Sequence, residues 1–123
     1  KLERKSYENA RLFLDLGDYQ AAVIAFRNSV KELPDTKYAE EMEFLTIEAQ
    51  YLYAKNSREI RQEARYEEAI AEYERPIEKY PESKFLAQAQ DLKEKSERGI
   101  ATTKEILATY TESRKAQKDE QQQ

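Results

Sequence analysis

Apolar residues return along this chain at intervals of three and four. Tyr19, Ala22, Val23, Phe26 and Val30 fall at i, i+3, i+4, i+7 and i+11, and Tyr66, Ala69, Ile70, Tyr73 and Ile77 repeat that spacing. Each set makes one apolar stripe along a helix. Each helix is then stopped by a proline, Pro34 or Pro81, which lacks an N–H and disfavours helical backbone in the residue before it. The two runs coincide when the chain is slid along itself by 47 positions, the separation of Pro34 from Pro81. The same shift pairs Lys37 with Lys84, Leu45 with Leu92, Asp35 with Glu82, Thr36 with Ser83 and Tyr38 with Phe85. Self-similarity at such a period predicts a helical solenoid, in which a corner ("KELPDTKY", then "EKYPESKF") recurs because a helix pair recurs. Asp35-Thr36 and Glu82-Ser83 are expected to cap the helices that follow.

The second unit is longer than the first. Ala49 lies 17 positions before Tyr66, whereas Ala10 lies 9 before Tyr19. The insert "YAKNSREIRQEA" predicts a first helix that runs long, breaks near Asn56 and turns into the next, with Asn56 and Glu59 at capping-box spacing. Pro76 falls inside the second stripe's helix, where it removes one backbone hydrogen bond; it is read as a kink on the outer face, with a hinge as the alternative. From Phe85 onward Ala89, Leu92, Ser96, Ile100, Thr103, Leu107 and Tyr110 step along a single seam, which predicts one long C-terminal helix. Gly99 weakens it by about 1 kcal/mol relative to alanine, and Thr102 with Glu105 offers an alternative start for a separate helix. The expected organisation is one all-α domain: repeat one over 3–36, repeat two with its insertion over 37–83, a final helix over 84–116 and a polar tail over 117–123.

Composition fits that reading. Two glycines and three prolines in 123 residues are too few for the turns of hairpins and sandwiches. The mean hydropathy of −1.02 would suit disorder, but thirteen aromatic residues at helical spacing point to a thin fold with much surface. Basic and acidic residues, 21 and 25, are interspersed, leaving a net charge of −4 and no basic stripe, so nucleic acid is not an expected partner. No apolar run is long enough to span a membrane. The first residue, Lys1, suggests a processed chain or a fragment.

There is no histidine and no cysteine, which removes the commonest general acid/base, the commonest metal ligands and the thiol nucleophile together. Gly17 and Gly99 are isolated and make no phosphate loop. The carboxylate pairs Glu40-Glu41 and Glu67-Glu68 sit among lysines and arginines on helix faces without the loop spacing of a Ca²⁺ site, and are read as surface. Tyr19, Tyr66, Tyr73 and Tyr80 belong to the core stripes, whereas Tyr7, Tyr51 and Tyr53 lie outside them. No catalysis, cofactor or metal is expected.

Ala10, Phe13, Gly17-Asp18-Tyr19, Ala22, Phe26, Ser29 and Pro34 resemble the tetratricopeptide repeat, in which helix A carries a small residue and an aromatic and helix B ends at a proline. The second unit departs from the pattern, with Ala64-Arg65-Tyr66 in place of Gly-Asp-Tyr and Pro76 where a small residue is usual. The resemblance implies a concave face made by the first helix of each pair. Its lining would be Arg4, Tyr7 and Arg11, then Phe44, Glu48 and Tyr51, then Asp91 and Lys95. Tyrosine, arginine and carboxylates together suit a peptide or a partner's loop.

Within that superfamily the "YPxSxY/F" corners resemble two periplasmic groups, the BamD-like outer-membrane assembly lipoproteins and the cell-division coordinators of the Tol-Pal system. The lengthened second repeat, with Glu67-Glu68-Ala69-Ile70 running to Tyr80-Pro81-Glu82-Ser83-Lys84-Phe85, resembles the BamD-like group, and the resemblance as a whole covers roughly residues 6 to 98. That resemblance implies the C-terminal part of a scaffold at the periplasmic face of a bacterial outer membrane, held by a lipid anchor outside this segment. Its partners would be a β-barrel insertase, other assembly subunits and unfolded barrel substrates. The alternatives are a generic tetratricopeptide adaptor, for example one like the Tol-Pal coordinators, and an oligomerisation module using Ile100, Thr103, Leu107 and Tyr110 as a coiled-coil seam; the alternative location is the cytoplasm.

Overall fold

The computed structural model describes residues 2–122, which form five α-helices and no strand. In chain order they are α1 (Leu2–Asp15), α2 (Tyr19–Glu32), α3 (Ala39–Lys55), α4 (Glu59–Lys79) and α5 (Leu86–Gln121). Each packs against its neighbour in sequence, and α3 also packs against α5. The expectation of an all-α chain is met.

Local chemistry sets the boundaries. Gly17 takes φ 80°, a left-handed conformation that costs a side chain about 1–2 kcal/mol. Through it Gly17 N–H reaches the Leu14 carbonyl at 3.1 Å and Asp18 N–H the Phe13 carbonyl at 2.9 Å, which closes α1. Asp18 then caps α2, its side chain accepting from Ala21 N–H at 3.3 Å.

The two proline corners are built alike, bond for bond. At the first, Leu33 N–H donates to the Ser29 carbonyl, Thr36 N–H to Leu33 and Met42 N–H to Tyr38; at the second, Tyr80 donates to Pro76, Ser83 to Tyr80 and Ala89 to Phe85. Leu33 and Tyr80 share φ −128°, with ψ of 61° and 69°. Thr36 and Ser83 each accept a backbone N–H two residues on, from Tyr38 at 3.4 Å and Phe85 at 3.1 Å. The hydroxyls therefore serve the turn that leads into each helix, and neither Asp35 nor Glu82 acts as the cap. A short hydroxyl side chain reaches the amide two residues ahead, which orders the lead-in turn before the helix proper begins.

Helix α3 is the centre of the molecule. Met42 and Ala49 face α1 and α2, joining Ala10, Ala22, Val23 and Phe26 in one core. Phe44 and Ile47 face the other way, joining Ala89 and Leu92 in a second. A helix covered on several sides needs apolar residues on more than one face, and α3 has them, with Glu43, Thr46 and Gln50 buried among them.

The insertion lengthens α4, which has 21 residues against 14 for α2, with the extra length at its N-terminus. The break falls at Asn56 as the sequence predicts, but no capping box forms. Asn56 ends α3, donating Nδ2–H to the Leu52 carbonyl at 2.8 Å, and Arg58 precedes α4 without a side-chain cap. Gln62 instead reaches back to the Lys55 carbonyl at 3.1 Å, and Arg65 lies over the Tyr53 ring at 4.2 Å. Satisfying the end of the first helix takes precedence over capping the second.

Pro76 is not on the outer face. It is buried within α4, because it stands 47 positions after Ser29, itself 6% exposed, and inherits that inward-facing position. Helix α5 is continuous through Gly99 for 36 residues. A Cβ at Gly99 would lie 2.5 Å from Cε2 and Cζ of the Tyr66 ring, so the glycine admits that ring. Thr102 is exposed and starts no helix, while Thr103 is buried and donates to Gln62 Oε1 at 3.0 Å. The helix also extends to Gln121, through most of the segment read as a polar tail.

Candidate partner-binding groove

The expected groove residues come from α1, α3 and α5, and the structure distributes them unequally between surface and core. On α1, Tyr7 stacks on Tyr38 with ring centroids 4.6 Å apart and planes at 16°. Arg11 donates to the Tyr7 hydroxyl at 3.3 Å and lies 3.8 Å from the Glu41 carboxylate, joining α1 to α3. Burial, then the Glu41 contact, raises the Tyr7 pKa above the ordinary phenol value, while Arg11 pulls it back. The Tyr7 bond in turn raises the Arg11 pKa, so the guanidinium is held charged in a defined place. Arg4 is exposed and pairs with Glu8 at 2.9 Å.

On α3, Glu48 is half-buried and faces α5. Phe44 is not a groove surface: at 6% exposed, it packs against Phe85 at 5.4 Å and Tyr80 at 6.5 Å. Tyr51 packs half-buried against the second core, its ring 5.9 Å from Tyr66. Both follow from the central place of α3, whose aromatics are needed to fill space on either side. On α5, Asp91 and Lys95 are exposed and bridge each other at 2.9 Å, and that bond raises the Lys95 pKa.

Glu41 thus joins Tyr7 and Arg11 of α1 to the α3–α5 face with Leu45, Glu48 and Gln88, while Arg4, Asp91 and Lys95 are exposed charges paired within their own helices. Between α3 and α5 there is a slot of about 30 Å³, lined by Glu41, Leu45, Glu48 and Gln88 over Phe44 and Leu92. That volume holds water and no side chain. The face is open and shallow, which suits contact with a protein surface better than enclosure of a small molecule.

Two contributors are absent from the groove residues expected from the sequence: there Glu41 reads as solvated surface and Tyr38 as part of the corner. A signal for Glu41 existed, since Glu41, Phe44, Glu48 and Tyr51 fall at i, i+3, i+7 and i+10 on one helix face. Tyr38 had none, because its stacking on Tyr7 depends on how the corner folds back on α1.

Among the described residues no group of side chains is arranged to hold a metal ion, and no helix is long and apolar enough to cross a membrane. No family model matches the chain, and no curated protein matches it.

Proposed function

We propose that this chain is a non-catalytic protein-binding scaffold of the tetratricopeptide type, a solenoid of helix pairs whose first helices present the partner-binding face. The observation that carries this reading is the proline corner rebuilt with the same hydrogen bonds 47 positions later. A second support is the face made by α1, α3 and α5, where a fixed arginine, a stacked tyrosine and two carboxylates lie together. Aromatic area with directed charge is the composition of a protein-recognition surface.

The more specific proposal is a BamD-like role in outer-membrane β-barrel assembly, at the periplasmic face and through a lipid anchor outside this segment. Its support is the lengthened second repeat together with the corner motif. The partner would be the barrel insertase, another assembly subunit or an unfolded barrel substrate. Affinity purification of the parent protein from cross-linked cell envelopes, read by mass spectrometry, tests it. Recovery of a barrel insertase with accessory lipoproteins is the expected result; cytoplasmic proteins, or Tol-Pal components alone, would refute the assembly role and leave the scaffold reading standing. With a partner in hand, charge reversal of Arg4 and Arg11 together should weaken binding about tenfold or more with the far-UV circular dichroism unchanged. Unaltered affinity would remove the groove assignment.

A further inference from the structure

The opposite side of α3 carries a second cleft. Glu43 and Thr46 form its floor, and α2 and α4 form its walls. Its volume of about 330 Å³ is an order of magnitude greater than that of the slot in the groove, and is within the range of ligand-binding clefts. One end is closed by Arg27 of α2, which pairs with Glu72 and Glu68 of α4. Toward the other, Lys79 stands 3.7 Å from Glu43. Between them Val30 and the buried ring of Pro76 give apolar wall.

Two features of this cleft are left incomplete by the fold itself. Glu43 is 7% exposed; its Oε2 is ion-paired with Lys79 at 3.7 Å, beyond hydrogen-bond reach, and has no hydrogen-bond donor, a state in which buried carboxylate oxygens are rarely left. Nearby, the missing N–H of Pro76 means that the Glu72 carbonyl receives no donor from the regular helix ladder. At the rim, Lys31 and Arg75 have no carboxylate within ion-pair distance among the described residues.

We propose that this cleft between α2 and α4 binds an extended acidic peptide segment of a partner protein, independently of the groove on the other side of α3. The occupant must supply hydrogen-bond donors at the floor and negative charge at the rim. A cationic side chain would meet Arg27, Lys31, Arg75 and Lys79 on entry, against the three carboxylates Glu43, Glu68 and Glu72; Arg27 and Lys79 are engaged by those carboxylates, so the positive excess sits at the rim on Lys31 and Arg75. A peptide backbone supplies neutral N–H donors to Glu43, while acidic side chains beside it reach Lys31 and Arg75. The apolar middle, Val30 and Pro76, accommodates a small aliphatic residue between the acids.

The test is selection of random dodecapeptides displayed on phage against the immobilised protein, counter-selected on the doubly reversed variant Lys31→Glu, Arg75→Glu. Both positions are exposed, so the variant keeps the fold, which circular dichroism verifies. Clones rich in Asp and Glu and poor in Lys and Arg are expected, and their synthetic peptides should lose affinity about tenfold or more on the double variant. Glu43→Met should weaken the same peptides, whereas Arg4→Glu with Arg11→Glu should leave them unchanged. Recovery of no clone that separates the two proteins overturns the proposal. So do clones without acidic enrichment, and so does loss of binding on the Arg4 and Arg11 variant, which would move the peptide to the groove.

Discussion

At the scale of single residues, the decisive contacts are those where a ring or a carboxylate leaves no freedom to its neighbour. Tyr66 is 6% exposed and lies against Gly99, so its ring cannot yield to a new methyl group. Gly99→Ala would gain about 1 kcal/mol of helix propensity and lose about 1–3 kcal/mol through overpacking. A lower urea midpoint is expected, with the loss relieved when Tyr66→Leu is added; a raised midpoint would show that the ring moves aside. Pro76→Ala has the opposite sign. Restoring the helix N–H recovers about 3 kcal/mol, and removing two buried methylenes costs about 1.6 kcal/mol. Equilibrium unfolding should therefore show a gain of roughly 1 kcal/mol. The sequence displayed both residues but not their surroundings: Gly99 read as a weakness because the ring that needs it lies 33 positions away.

At the scale of elements, α5 is two helices in one. Its first part lies antiparallel on α4, through Lys93 over the Tyr73 ring at 5.2 Å, Gly99 on Tyr66, Thr103 with Gln62 and Lys104 with Glu63 at 3.2 Å. Helix α4 starts at Glu59, so beyond Leu107 α5 has no neighbour, and residues 108–122 are all exposed. A helical stretch without tertiary contacts is marginal alone. Deleting residues 111–123 should change the unfolding free energy by no more than about 0.5 kcal/mol, and amides there should exchange with solvent much faster than those of Leu92 to Thr103. Stability lost on deletion would mean that the overhang is covered in solution. The same register bears on the coiled-coil alternative, because Thr103 is buried and Ile100 half-buried against the rest of the chain. Leu107 is half-buried as well, so three of the four seam positions are already occupied within the molecule. The apolar spacing made the helix legible, but spacing alone did not say which stretch of the seam has a partner.

At the scale of the whole molecule, stability depends on two small cores joined through α3 and on tyrosines that must stay neutral. Burial raises the pKa of Tyr7, Tyr66 and Tyr80. In the unfolded chain tyrosine ionises near about pH 10, so above that pH the unfolded state releases protons first. Stability should be present in full below about pH 10 and fall as pH rises through the higher folded values. Thermal melts between neutral and strongly alkaline pH check this, and Tyr66→Phe should flatten the alkaline limb. Light scattering at micromolar concentration should find no dimer formed through the overhang of α5, where the nearby exposed large apolar residues are Ile60, Ile106 and Tyr110; Leu2, Leu12, Phe13, Leu16 and Ile24 are exposed on α1, α2 and the turn between them. A dimer would return the overhang to consideration as an interface.

Periodicity and two prolines were enough to determine the helical class, the recurrence at 47 positions, the break at Asn56 and the long last helix, because these depend on local backbone chemistry and on the spacing of apolar residues along one face. Packing decided the rest. The position of Pro76 in a cleft wall, the burial of Phe44, the pairing of Arg11 with Glu41 and the unmet oxygen of Glu43 arise where helices distant in sequence meet. A one-dimensional pattern gives the face on which a side chain lies, whereas only the tertiary structure supplies the neighbour that faces it.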